Sequence, residues 1–320
     1  MSVRKLALSL LVILLLLAIF FAGPRVKIDP TIHPLTLGDD IERYINHSES
    51  AYDDIIPGTE KKIIWQGQAG DITPLSIVYI HGFTASRQES APLANLVASK
   101  LGANLFYTRL TGHGRGTEGM MNTSVNAWLN DANEALEIGR RIGQRVVVMG
   151  MSAGGALAFW LSTQPHAQDA AAFVLISPAF KILDPSSSIL LWPWGQQIAE
   201  LVAGKVRCRQ ASNPAHERYW TNCHPTRSVM TLKGMVGYVR SLDFNAVQRP
   251  MLMIISPEDQ VVNAHEAVSI FDSIGSDIKE LVEYYDTEDP AHHILAGDVL
   301  SPNSTQPMAN IIVNFIETVD

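Results

Sequence analysis

The stretch Val146-Val147-Val148-Met149-Gly150-Met151-Ser152-Ala153-Gly154-Gly155-Ala156-Leu157 constrains the fold of this chain more than any other. A β-branched apolar run is a buried strand, and the Ala- and Leu-rich sequence that follows favours helix. Between them stands Gly-x-Ser-x-Gly, so the chain must turn from strand to helix within a few residues. Glycines two positions to either side of Ser152 remove side chains that would collide in so sharp a turn. The serine hydroxyl is thereby exposed at the edge of a sheet, with a helix N-terminus behind it that favours developing negative charge. This is the pattern of a nucleophile elbow.

The rest of the chain supplies the sheet that such an elbow needs. Residues 62–66 read as an edge strand, and 75–80, 104–108, 145–149, 171–177 and 251–255 as buried strands, with a last strand at 279–285. Helical spacing runs over 92–101, where Leu93, Leu96, Val97 and Leu101 share a face, and again over 128–142 and 307–318. Strands alternating with helices predict an α/β fold with a mostly parallel central sheet and helices on both faces. That rhythm breaks between Ser177 and Met251, where about 70 residues stand in place of one crossover helix. This stretch holds the apolar run 189–194, a helical run at 196–203 and both cysteines. It reads as a cap insertion over about 181–248, within a domain spanning 59–320, above the strand ends where open α/β sheets bind ligands.

Ahead of the domain, Arg4 and Lys5 precede residues 6–22, in which Ser9 is the single polar side chain. At 1.5 Å per residue this run spans about 26 Å, inside the lower range for one membrane crossing. Residues 1–23 are expected to be an uncleaved anchor or, alternatively, a signal peptide. Against cleavage, Phe20 and Ala22 stand before Gly23, where two small residues are wanted. With the basic residues ahead of the apolar run, the body is expected outside the cytoplasm, single-pass if anchored and secreted or periplasmic if cleaved. Polar residues 24–58 form a juxtamembrane connector with a short helix near 39–50.

In an oxidising compartment Cys208 and Cys223, the two cysteines of the chain, are expected to pair. His216 and His224 lie near them, yet no zinc-ligand spacing appears, and no metal or other cofactor is expected. A net charge of −8 without any Lys/Arg run argues against a nucleic-acid partner. Oligomeric state has no signature in this sequence.

A serine hydroxyl needs a base within hydrogen-bond reach, itself oriented by a third group. Ser256-Pro257-Glu258-Asp259-Gln260 follows the strand 251–255, and Asp286-Thr287-Glu288-Asp289-Pro290-Ala291-His292-His293 follows the last strand. By chemistry alone either histidine can be the base, and Glu258 competes with Asp259 for the acid. The oxyanion of a tetrahedral intermediate needs backbone N–H donors, one from Ala153, the residue after the serine. A second is expected from Phe83 in His81-Gly82-Phe83, where Gly82 permits the turn. His81 reads as structural because the base lies late in the chain, and His113 of Gly112-His113-Gly114 as a loop-stabilising residue.

His81-Gly82-Phe83, Gly112-His113-Gly114, Gly150-Met151-Ser152-Ala153-Gly154, Asp259 and His293 together resemble the α/β-hydrolase superfamily. Within it they are most similar to the monoacylglycerol lipase and lysophospholipase-like branch that is grouped with serine aminopeptidases. The resemblance runs from about Lys61 to the C-terminus and is weak in the cap. It selects His293, which is followed by Ile294-Leu295-Ala296-Gly297-Asp298, and it matches Asp259 as the acid. It implies a serine hydrolase acting through an acyl-enzyme on a small-molecule or lipid carboxylic ester, tethered to a membrane by the N-terminal segment. The alternatives are an aminopeptidase or amidase with the same triad, and a catalytically silent membrane-tethered binding module.

Overall fold

Residues 3–319 are described in the computed structural model. Helix α1 (Val3–Phe21) is apolar beyond Lys5 and exposed from Arg4 to Ile19, and α2 (Ile41–Ser50) follows it. Asp40 starts α2 by accepting the Arg43 N–H on its side chain, and Ile41 and Ile45 bury its inner face against the domain. The domain then runs β1 (Lys62–Ile64), β2 (Thr73–Ile80), α3 (Leu93–Lys100), β3 (Asn104–Tyr107), the single turn α4 (Gly116–Gly119) and α5 (Val125–Ile142). Next come β4 (Gly143–Met151), α6 (Ala153–Ser162) and β5 (Ala172–Ile176).

Before the next strand of the sheet the chain carries α7 (Gly195–Ala203), β6 (Val206–Cys208), α8 (Pro214–Tyr219), β7 (Cys223–Pro225) and α9 (Thr226–Val239). The chain returns with β8 (Met251–Ile255), α10 (Ala264–Ser273), β9 (Lys279–Glu283) and α11 (Thr305–Val319).

Seven strands form one sheet in the order β1-β3-β2-β4-β5-β8-β9, parallel except for the antiparallel edge strand β1. Side chains alternate between its faces as a pleated strand requires. Val78, Ile80, Val146 and Val148 pack with Trp128 and Leu136 of α5 and Phe159 of α6. Their neighbours Ile77, Tyr79, Val147 and Met149 pack with Leu93 and Val97 of α3 and Met308 and Ile312 of α11. Both faces are therefore covered, which is why these strands read as continuous apolar runs. Each fully buried aliphatic side chain adds about 1.5–3 kcal/mol of transfer free energy to this two-faced core.

Strand order reverses between β2 and β4, so the loops leaving these two neighbours diverge and open a crevice at their carboxyl ends. Ser152 follows β4 and His81-Gly82-Phe83 follows β2.

The mostly parallel sheet agrees with expectation, while several boundaries differ. Helix α5 starts earlier than residue 128 because the Ser124 side chain accepts the Ala127 N–H and caps it. Strand β4 extends beyond 145–149 at both ends, and β1 stops at Ile64. Helices α9 and α10 go beyond the sequence reading. In α9, Thr231, Gly234 and Gly237 lower helix propensity, and tertiary packing of Leu232, Met235, Val236 and Val239 outweighs that. For α10 a local signal exists: Asn263 caps by accepting the Glu266 N–H, with that glutamate three residues on. Between β5 and β8, β6 and β7 pair antiparallel with Cys208 opposite Cys223, and a disulfide joins the two.

Candidate active site

Ser152 sits at the apex of the β4–α6 turn with φ 56° and ψ −117°, a conformation costly for a residue with a Cβ. The surrounding backbone fixes it there. Its N–H donates to Ile176 O at 2.9 Å, and its carbonyl accepts from Ala156 and Ala179. The motif glycines are sterically required: a Cβ at Gly150 would lie 2.2 Å from Gly154 O, and one at Gly154 would lie 1.9 Å from Ile80 O.

His293 and Asp259 reach this serine from the loops after β9 and β8. Nε2 of His293 is 2.9 Å from Ser152 Oγ, and Nδ1 is 2.7 Å from Asp259 Oδ2. The other oxygen, Asp259 Oδ1, accepts the Val261 and Val262 N–H groups at 2.7 and 2.9 Å. All three side chains are buried. With a carboxylate accepting from Nδ1–H, the tautomer leaves Nε2 free to accept the serine proton. His292 instead lies with Nδ1 3.3 Å from Glu258 Oε2, and Glu258 is exposed.

Ala153 opens α6, so its N–H has no intrahelical acceptor. Gly82 passes so near the serine that a Cβ there would be 3.1 Å from Ser152 Cβ, which brings the Phe83 peptide alongside. The Phe83 ring is held edge-on against His113, Trp128 and His224. His81 is buried, with Nδ1 2.9 Å from Gly82 O and Nε2 accepting the Leu110 N–H. Burial pushes it down to about 4, so it is neutral and structural. His113 lies in the same buried cluster, also pushed well below its ordinary value by burial.

Three acids shape the site without having been singled out in the sequence. Asp289 Oδ2 accepts the N–H groups of His293 and Ile294 at 3.0 and 2.8 Å, fixing the loop that presents the imidazole. Asp-Pro at 289–290 is a local turn signal for it. Asp131 accepts the Thr111 N–H and hydroxyl, tying down the turn that carries His113, and burial pushes it up to about 6. Glu89 has no local signal. Its Oε1 accepts both the Gly82 N–H at 2.6 Å and the Tyr79 hydroxyl at 2.9 Å.

Burial pushes Glu89 up to about 8, so it is protonated at neutral pH. The unfolded chain loses this proton near 4.5 and the folded one near 8, so the associated stability is full below about 4.5 and is lost as pH rises toward 8. Glu89→Gln, neutral throughout, should therefore gain on the wild type by a few kcal/mol between about pH 5 and 8. Urea midpoints measured across that range check this, since His81 and Asp131 act equally in both proteins. Parallel profiles would mean that the folded protein holds Glu89 ionised.

A cavity of about 290 Å³ is lined by Ser152, Phe83 and His293 and, from the segment between β5 and β8, by residues such as Trp220, Val229 and Leu232. Among the described residues no cluster of metal-ligating side chains occurs.

Similarity to known proteins accords with this geometry. A thermostable monoacylglycerol lipase from Bacillus sp. (strain H-257) is 28% identical over 211 residues, covering 65% of this chain and 80% of that one. A solved structure of the metagenome-derived lipolytic enzymes LipS and LipT superposes with a TM-score of 0.67 at 24% identity, over 82% of this chain and 99% of that chain. The monoacylglycerol lipase of Paleococcus ferrophilus gives 0.60 at 15% identity, over 81% and 98%. At these identities the two structures speak for the fold, which is that of an α/β-hydrolase. The profile of the family described as serine aminopeptidase, S33, matches residues 74–296, most of the domain, and the chain belongs to that family.

Proposed function

We propose that this protein is a membrane-anchored serine hydrolase that cleaves carboxylic esters through an acyl-enzyme. The observation that carries the reading is the continuous hydrogen-bonded line from Ser152 Oγ through His293 to Asp259 at the floor of the cavity. Ser152 Oγ bonds to the ester carbonyl carbon as its proton passes to His293 Nε2. The N–H groups of Ala153 and Phe83 stabilise the oxyanion. Collapse breaks the carbon–oxygen bond to the alcohol, which leaves with the proton from His293. Water, deprotonated by His293, then attacks the acyl-enzyme and releases the acid and Ser152.

The ester reading is supported by the monoacylglycerol lipase relative and by the charge of the cavity. An aminopeptidase must pair the substrate ammonium with a carboxylate. Here Glu89 is protonated at neutral pH, Asp289 is committed to backbone amides, Asp184 acts on Lys233, and the insertion also contributes Arg207 and Arg209. A panel of p-nitrophenyl esters of graded chain length, run beside aminoacyl-anilides, tests this. Ester turnover should exceed anilide turnover by at least about a hundredfold, and the reverse order would make the protein an aminopeptidase.

The cap, on this reading, is the inserted segment of about 181–248, covering the strand ends. Helix α1 anchors the protein: its window Arg4–Phe21 has mean hydropathy 2.4, and none of its residues is buried in the domain. The insertion meets its end, where Trp194 donates its indole N–H to Ile19 O and its backbone N–H to Pro24 O. The protein should sediment with membranes and resist carbonate extraction, with the domain outside the cytoplasm. A soluble mature form beginning near Pro24 would instead identify a signal peptide.

A further inference from the structure

The insertion lines the cavity with charged side chains that the chemistry above leaves unused. Arg207 and Arg209 stand two residues apart along β6 and its continuation, Lys233 comes from α9, and all three line the cavity that holds Ser152. In a chain of net charge −8, several cations that pack on the domain are paired, Arg87 with Glu60, Arg109 with Glu49, Arg115 with Asp54 and Arg240 with Glu266. Among the described residues neither Arg207 nor Arg209 has an ion-pair partner.

A second observation points to the same wall. His224 is buried there, stacked edge-on against Phe83 with ring centroids 5.3 Å apart. Its Nδ1 is buried with no hydrogen-bond partner among the described residues. Burial, then Arg209 and Arg207, push it down to about 4, so the positive field of the two arginines extends to a ring that touches Phe83. The acids on the cavity offset this field incompletely. Asp184 acts on Lys233, Glu89 carries a proton, and Asp289 is bonded to backbone amides.

We propose that Arg207, Arg209 and Lys233 form a subsite for an anionic group, phosphate or carboxylate, carried by the ester substrate. Paired guanidinium groups match the oxygen geometry of such anions, and at the exposed rim of the cavity Arg207 and Arg209 can meet an anion as it enters. The proposal deepens the ester-hydrolase reading and rests on it. It predicts a preference for acyl esters bearing a negative charge over neutral esters of the same acyl length.

The experiment uses the full chain and two matched pairs of substrates below their micellar concentrations. One pair is a 1-acylglycerol and its 3-phosphate, with the charge on the alcohol side. The other is p-nitrophenyl hexanoate and the p-nitrophenyl half-ester of adipate, with the charge on the acyl side. In at least one pair kcat/KM should favour the anionic member by about tenfold or more, and the pair that does so locates the anion. That ratio should fall toward one in R207Q/R209Q, and in the wild type at about 0.5 M salt, where screening shortens the reach of exposed charges.

Equal rates in both pairs, or a preference that survives R207Q/R209Q, would overturn the subsite while leaving ester hydrolysis intact. Absence of turnover with every ester would instead sink the ester-hydrolase reading. The subsite is then judged by calorimetry on the Ser152→Ala protein. Dodecyl phosphate should bind that protein at least about tenfold more tightly than the same protein carrying R207Q/R209Q, and equal affinities would overturn it.

Discussion

Ser152→Ala should lower ester turnover by about five to six orders of magnitude, and His293→Ala should do the same, with the double variant hardly worse than either. Such non-additivity is expected of groups that work as one proton-transfer unit, here joined at 2.9 Å. Residual rate would come from the Ala153 and Phe83 amides and from binding. The neighbouring histidine supplies the control. His292 sits at φ 51°, in the left-handed region, so asparagine, which enters that region readily, is the substitution that leaves the loop unstrained. His292→Asn should cost less than about tenfold, because that ring faces Glu258 and not the serine. Steady-state kinetics with p-nitrophenyl butyrate decide it, with thermal unfolding to confirm that each variant folds. A dead His292→Asn beside an active His293→Ala would transfer the base role.

What was legible in the sequence is what local physics dictates. The elbow could be read because its strand, glycines and helix are contiguous, and the close contacts at Gly150 and Gly154 are the collisions that the motif implies. Alternating strands and helices gave the sheet, because burial on both faces leaves an unbroken apolar run. Choosing between adjacent residues was beyond local chemistry. His292 and His293 are the same side chain one position apart, and only the turn anchored by Asp289 sends one toward Ser152 and the other toward Glu258.

Glu89 was illegible for a related reason. A glutamate in a polar loop reads as solvated, and its role arises from Tyr79 and Gly82 closing around it after the chain has folded. Arg207 and Arg209 carry no pattern either, since what distinguishes them is that folding brings both to the cavity that holds Ser152. In α9, glycines and threonines masked a helix that the core stabilises from outside.

Asp259→Asn should lower kcat by about four orders of magnitude with little change in KM, while Glu258→Gln should change kcat less than threefold. The reasoning turns on which atoms the carboxylate satisfies. Oδ1 accepts two backbone N–H groups from Val261 and Val262, so an asparagine must place its carbonyl oxygen there. Its NH2 group then points at His293 Nδ1, where Asp259 Oδ2 now accepts at 2.7 Å. A donor facing Nδ1 selects the tautomer protonated on Nε2, and that nitrogen cannot take the proton of Ser152. The fold and the cavity survive, which is why binding is spared while the chemical step fails. Glu258 is exposed and its carboxylate lies beside His292, so its charge is screened by solvent and its loss leaves the serine's base untouched. Should Glu258→Gln inactivate the enzyme and Asp259→Asn spare it, the acid would have to be reassigned, and with it the path of the loop after β8.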